Sequence, residues 1–281
     1  MPSNAIIHHV FHTKHDFSPE LGWAAFQLLA AMGDGVTEPD LSEVAHLVAS
    51  PLTVRSNLTK LLGGLYDVGL TERNGEKTTL SSVACALING HGIHADAFYK
   101  TVHCLYAWRW LWSGDSQVAT PSWSYRQACR HLLAAGSLGI DRDDLTLRVI
   151  SAAQHFQADK VSFSRSSVSG IVMWLEVQHP PLVVHHSNRI ATAEQTIPTI
   201  GSLKLHLAAL CRLHCGEAHL DSEGMQLLAE ALLTSPGNLS LHLNDLCEGS
   251  EEFLAINGSV PRIIFRQTDD PLLRWIATGI I

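Results

Sequence analysis

Residues 51–80, PLTVRSNLTKLLGGLYDVGLTERNGEKTTL, constrain this chain more than any other stretch. Apolar side chains recur at Leu58, Leu61, Leu62, Leu65 and Val68. Residues three and four apart share one face of an α-helix, so the spacing predicts a helix with a single buried stripe. The opposite face carries Arg55, Ser56, Asn57, Thr59 and Lys60, with Thr53 just ahead of them. These are short polar or basic side chains, the types that donate to phosphates and base edges. Gly69 follows where a helix ends in the left-handed conformation. Residues 70–73 and 77–80 then predict two short strands. Asn74-Gly75 between them tolerates positive φ, which makes a hairpin.

The preceding residues extend the pattern. Residues 41–49 form a short amphipathic segment opened by Asp40, with Glu43 three residues on in a capping-box arrangement. Ser50-Pro51 turns the chain into the next helix. Residues 18–32 predict another amphipathic helix, with Ser18 as N-cap and Pro19 in its first turn. Three helices and a hairpin with a charged tip, over residues 18–80, resemble a winged-helix domain. That resemblance implies a recognition helix in the DNA major groove and a wing, carrying Arg73 and Lys77, along the backbone or minor groove. Winged helices also serve as protein-interaction modules.

A second copy is predicted further on. Helices are expected over residues 123–138, from the cap Asp141 to residue 153, and over residues 164–177. In the last of these Val168, Ile171, Val172 and Leu175 repeat the spacing of Leu58, Leu61, Leu62 and Leu65. Its polar face offers Arg165, Ser166, Ser167 and Ser169, and LVVHHSNRIAT supplies a possible wing with Arg189. Between the copies, residues 95–112 hold Phe98, Tyr99, Tyr106, Trp108, Trp110 and Trp112, with Lys100 and Arg109 interleaved. A basic-aromatic helix can stack on bases. Aromatics all round a helix favour burial between domains. The expected fold is mainly α with small β-hairpins (α+β): tandem winged-helix domains plus a mostly helical C-terminal region. The boundaries are an N-terminal domain at 1–90, an aromatic connecting helix at 91–120, a second winged helix at 121–197, and an acidic oligomerisation or partner-docking region at 198–281. In that last region residues 201–216 and 222–234 predict helices, 235–238 (SPGN) a break, 260–266 a strand and 271–278 a closing helix.

Charge limits the DNA reading. The net charge is −8, whereas phosphate binding needs local positive charge. Residues 1–90 hold five Lys/Arg against nine Asp/Glu, residues 91–200 nine against eight, and residues 201–281 five against ten. DNA would therefore meet a basic strip, and the acidic C-terminal region suits a protein partner or a homodimer. No apolar run approaches the ~20 residues of a membrane span, and no secretory leader is evident. The six cysteines show no small-domain spacing, so free thiols in a reducing cytoplasm are expected.

Catalytic signatures are lacking. There is no phosphate-cradling glycine loop, dinucleotide fingerprint, Gly-x-Ser-x-Gly elbow or zincin helix. The acidic pairs 143–144, 251–252 and 269–270 are adjacent residues, which do not converge on one face. His8 and His12 could share a helical face, and His206, Cys211, His214, Cys215 and His219 have zinc-binding atoms. Three ligands on one straight helix strain a tetrahedron, and Cys and neutral His sit comfortably in cores, so no metal or cofactor is expected. The expected function is non-enzymatic: duplex DNA binding by a transcription regulator or nucleoprotein-complex subunit. The alternative is a tandem winged-helix adaptor that grips proteins rather than DNA.

Overall fold

The computed structural model describes residues 17–33, 35–48, 55–92, 94–113, 120–154, 162–193, 198–214, 217–249, 253–256, 262–265 and 270–278. The chain is mainly helical with three small antiparallel sheets. One order of elements occurs three times. The first unit runs α1 (Pro19–Met32), β1 (Val36–Thr37), α2 (Glu38–Val48), α3 (Arg55–Val68), β2 (Thr71–Asn74) and β3 (Lys77–Leu80). After α4 (Ser82–His91) and α5 (Ala95–Ser113), the second runs α6 (Thr120–Ala135), β4 (Ile140–Asp141), α7 (Arg142–Ala153), α8 (Arg165–Glu176), β5 (Val183–His186) and β6 (Arg189–Thr192). The third runs α9 (Ile200–Leu213), β7 (Glu217–His219), α10 (Ser222–Leu232), α11 (Pro236–Gly249), β8 (Phe253–Ile256) and β9 (Arg262–Phe265), and α12 (Pro271–Thr278) follows. In every unit the first strand pairs with the third, which pairs with the second.

The predicted stripe of α3 is buried: Leu58, Leu61, Leu62, Leu65 and Val68 are all at most 6% exposed. Burial of such side chains is worth about 1.5–3 kcal/mol each, enough to fix the helix's rotation. Gly69 takes φ +85°, and the Leu70 N–H reaches the Leu65 carbonyl while Gly69 N–H reaches Tyr66. This is the double-bonded glycine cap that ends helices. The hairpin differs from expectation by one residue. Asn74 pairs with Lys77, so the two-residue turn is Gly75-Glu76, with Gly75 at φ +64°. Leu70, expected in the strand, belongs to the cap. α2 also starts earlier than Leu41. Asp40 N–H donates to the Thr37 hydroxyl (3.4 Å) and Thr37 N–H to the Asp40 carboxylate (3.2 Å), so the capping box is Thr37/Asp40. Ser18 caps α1 and Pro19 opens it, as expected. Residues 49–54, including the Ser50-Pro51 turn and Thr53, lie outside the described residues.

The C-terminal region is mostly helical, as expected, and adds a small three-stranded sheet whose last strand falls within the expected 260–266; the expected break at 235–238 differs. Ser235-Pro236 does not break the chain for long. The Ser235 hydroxyl accepts from Asn238 N–H (3.2 Å), and Pro236 is the first residue of α11. Ser-Pro is the same start signal as Ser18-Pro19.

α5 is the shared spine. From Ala97 to Trp108 every residue but Tyr99 is buried. Phe98 packs on Phe26 of the first unit (5.0 Å between centroids) and on Trp174 of the second (6.1 Å). Tyr106 stacks on Tyr125 of α6 at 4.8 Å. Trp108 Nε1 donates to His206 Nδ1 of α9 (2.8 Å), which ties in the third unit. α12 closes the chain against α4 and α9. No helix among the described residues is long and apolar enough to cross a membrane.

Candidate nucleic-acid interface

Behind the buried stripe of α3, Thr59 and Lys60 are exposed. Arg55, Ser56 and Asn57 form the first turn of the same helix. Facing α3 is the β2–β3 hairpin, where residues 72–77 are all exposed. A cleft of about 490 Å3 separates the two, lined by Thr37, Thr59, Leu62, Arg73, Lys77 and Thr78 among others. β1 edges the cleft because Thr37 pairs with Lys77 and Val36 with Thr78. The Arg73 guanidinium lies over the Tyr66 ring, 5.1 Å from its centroid, which steadies one cation beside the helix.

The electrostatics of this face are mixed. Lys60, Arg73 and Lys77 supply positive charge, and Asp40 and Glu76 stand among them. The Asp40 carboxyl is held below its ordinary pKa by the Thr37 hydroxyl and N–H, with Lys77 adding a smaller effect. At neutral pH its carboxylate therefore caps α2 and draws on Lys77. The face can take an anionic backbone at the hairpin and donors at the helix, with little surplus charge.

The second unit offers less. Arg165 is exposed and 3.6 Å from Asp143. Ser167, expected on the exposed face, is fully buried, and its hydroxyl accepts from the Ser164 N–H (3.3 Å). Arg189 directs Nε and Nη2 onto the Gly139 carbonyl, so it laces the hairpin to the strand beside it. In the third unit α11 has no Lys or Arg at all.

Among the described residues the zinc-type side chains do not assemble. His206 is buried against Trp108, and Cys211 is buried with its thiol on the Ile263 carbonyl. His214 and His219 are exposed with ring centroids 6.1 Å apart. Among the described residues no three His, Cys, Asp or Glu side chains could hold a metal ion. Cys215, His8 and His12 lie outside the described residues.

Arg126, Arg130, His131 and Arg148 belong to no motif, yet the fold gathers them around α6. The one signal in the sequence was Arg126-x-x-x-Arg130-His131, which sets two cations on one helix face. Comparison with protein-family models, with curated proteins and with solved structures returns no match.

Proposed function

We propose that the chain binds duplex DNA through its first unit, with α3 in the major groove and the β2–β3 hairpin along the phosphate backbone. It would act as a transcription regulator or as a subunit of a nucleoprotein complex. The observation that carries this reading is the cleft between α3 and the hairpin. Thr59, Arg73 and Lys77 line it from two elements, while the aliphatic stripe anchors α3 from behind. Three helices followed by a hairpin, the order on which the winged-helix resemblance rests, give that cleft its walls.

Fluorescence anisotropy with a short duplex tests the proposal. Lys60→Ala, Arg73→Ala and Lys77→Ala combined should weaken binding. If each cation meets one phosphate, the log–log salt slope should fall by about 0.9 per residue removed. A triple variant with the parent's affinity and salt slope would falsify the assignment of this surface.

The third unit favours a different role within the same particle. α11 lacks Lys and Arg and exposes Leu241, which suits a protein partner or a second copy better than phosphate. The native mass of the same preparation, with and without co-purifying protein, decides this part. A monomer that retains nothing stoichiometric removes the docking role.

A further inference from the structure

α6 and α7 face each other across an open groove of about 560 Å3, lined by Trp123, Gln127, Arg130, His131, Arg148 and Ser151. That volume suits a small organic ligand and exceeds what a bare ion fills. No described lining residue is acidic, in a chain whose net charge is −8.

The positive charge here is not cancelled from below. Glu230 of α10 is 1% exposed and serves two guanidiniums at once, Arg126 at 3.1 Å and Arg130 at 2.7 Å. One carboxylate against two cations leaves a unit of positive charge at the groove floor. Arg130 turns Nε and Nη2 to Glu230 and remains 46% exposed, so its other edge faces the groove's solvent. Arg148 is exposed on the opposite wall and makes no hydrogen bond or ion pair among the described residues. His131 Nε2 is cut off from water and also lacks a hydrogen-bond partner among the described residues. Its pKa is lowered by burial and then by Arg148 and Arg130, so both guanidiniums act on the ring.

Two guanidiniums, the Gln127 amide and the Ser151 hydroxyl offer donors from two helices. A single carboxylate would be saturated by one arginine fork. A phosphoryl group has three oxygens and enough charge to engage two cations. We propose that the α6–α7 groove binds a phosphoryl group, held by Arg130 and Arg148, with space beside it for the body of the ligand. That group can belong to a small phosphorylated molecule or to a nucleic-acid backbone. The groove is built from helices of the second unit, so the proposal stands apart from the α3 interface.

Calorimetric titration of the full chain with AMP and with inorganic pyrophosphate at low salt separates the two sources, run beside anisotropy with a short duplex. Arg148→Ala and Arg148→Glu are the variants, because Arg148 is exposed and its replacement breaks no hydrogen bond or ion pair among the described residues. Circular dichroism checks that they fold. Saturable binding of AMP or pyrophosphate, weakened about tenfold by Arg148→Ala and lost in Arg148→Glu, supports the site with a small-molecule ligand. A loss confined to the duplex supports it with nucleic acid as the source. No saturable binding of any probe, or affinities that Arg148→Glu leaves unchanged, overturns it.

Discussion

Glu230 shows how one side chain can hold two units together. Its carboxylate is buried and accepts from Arg126, Arg130 and Gln226. Arg130 can rehydrate if the carboxylate is removed, but the Arg126 side chain is only 13% exposed. Burial already lowers the Arg126 pKa, and Glu230 is the largest influence opposing that. Glu230→Ala should therefore cost about 3–5 kcal/mol, the cost of a buried charge left without its partner. Arg130→Ala should cost less, because the remaining pair stays intact and the lost group was half in water. Urea denaturation of the two variants gives the comparison. Equal losses from Glu230→Ala and Arg130→Ala would show that α6 and α10 are joined by apolar packing alone. Ser167 makes the opposite point. Its hydroxyl closes the start of α8 in the interior, although its neighbours Arg165 and Ser166 are in solvent. Serine suits a cap and a phosphate contact equally well, so its place in the sequence did not separate the two roles.

Among the elements, α12 depends on a close approach that only glycine permits. Gly90 of α4 sits against the Ala277 backbone, and a Cβ there would overlap the Ala277 carbonyl. Backbone cannot step aside as a flexible side chain can. Gly90→Ala should therefore push α12 away from α4 at a cost of about 1–3 kcal/mol, the usual penalty for overpacking. It should also expose the α12 segment to limited proteolysis before the rest of the chain. Unchanged thermal stability with unchanged cleavage would mean that α12 does not need that contact. The same elements show which parts of the fold were legible. α3 was readable because one face meets solvent and the other the core, which writes the 3.6-residue period into the sequence. α5 is buried on nearly every side, so its sequence carries no face; that favoured burial over stacking on bases but did not show what covers it. The third unit hid because β7 is three residues long and β8 is a short apolar run without alternation. Ser235-Pro236-Gly237-Asn238 carried turn chemistry and helix-start chemistry together. Of the candidate interface, Thr59 and Lys60 came from local periodicity, and Arg73 and Lys77 from the Asn-Gly turn signal and the winged-helix resemblance. The α6–α7 groove needed two helices brought side by side, which no local pattern records.

On the scale of the whole molecule, the seam between α5 and the second and third units contains two imidazoles with no room for a second proton. His103 bonds the Tyr125 hydroxyl through Nδ1 (2.8 Å) and the Ala231 carbonyl through Nε2 (2.9 Å). A carbonyl only accepts, so Nε2 carries the hydrogen and Nδ1 accepts a hydrogen bond from the Tyr125 hydroxyl. His206 Nδ1 likewise accepts from Trp108, and the two imidazole centroids are 5.1 Å apart. Burial lowers the His103 pKa to about 4, and burial with the His103 neighbour takes His206 well below its ordinary value. The unfolded chain protonates both near the ordinary value of about 6.5. Above that pH neither state holds the extra proton, so the neutral pair adds no pH dependence. As pH falls from 6.5 toward 4, the unfolded state gains protons that the folded state refuses, and stability declines. For His103 the full loss is about 3 kcal/mol, reached only near pH 4. A fall from pH 7 to pH 5 leaves ordinary carboxylates largely ionised, so it isolates the histidines. Urea midpoints should drop over that interval, and His103→Gln should flatten the drop, because glutamine can still donate to Ala231 without taking up a proton. Identical midpoints at pH 7 and pH 5 in the parent chain would mean that the seam admits water to its imidazoles, and the tight junction of the three units would have to be rebuilt on that basis.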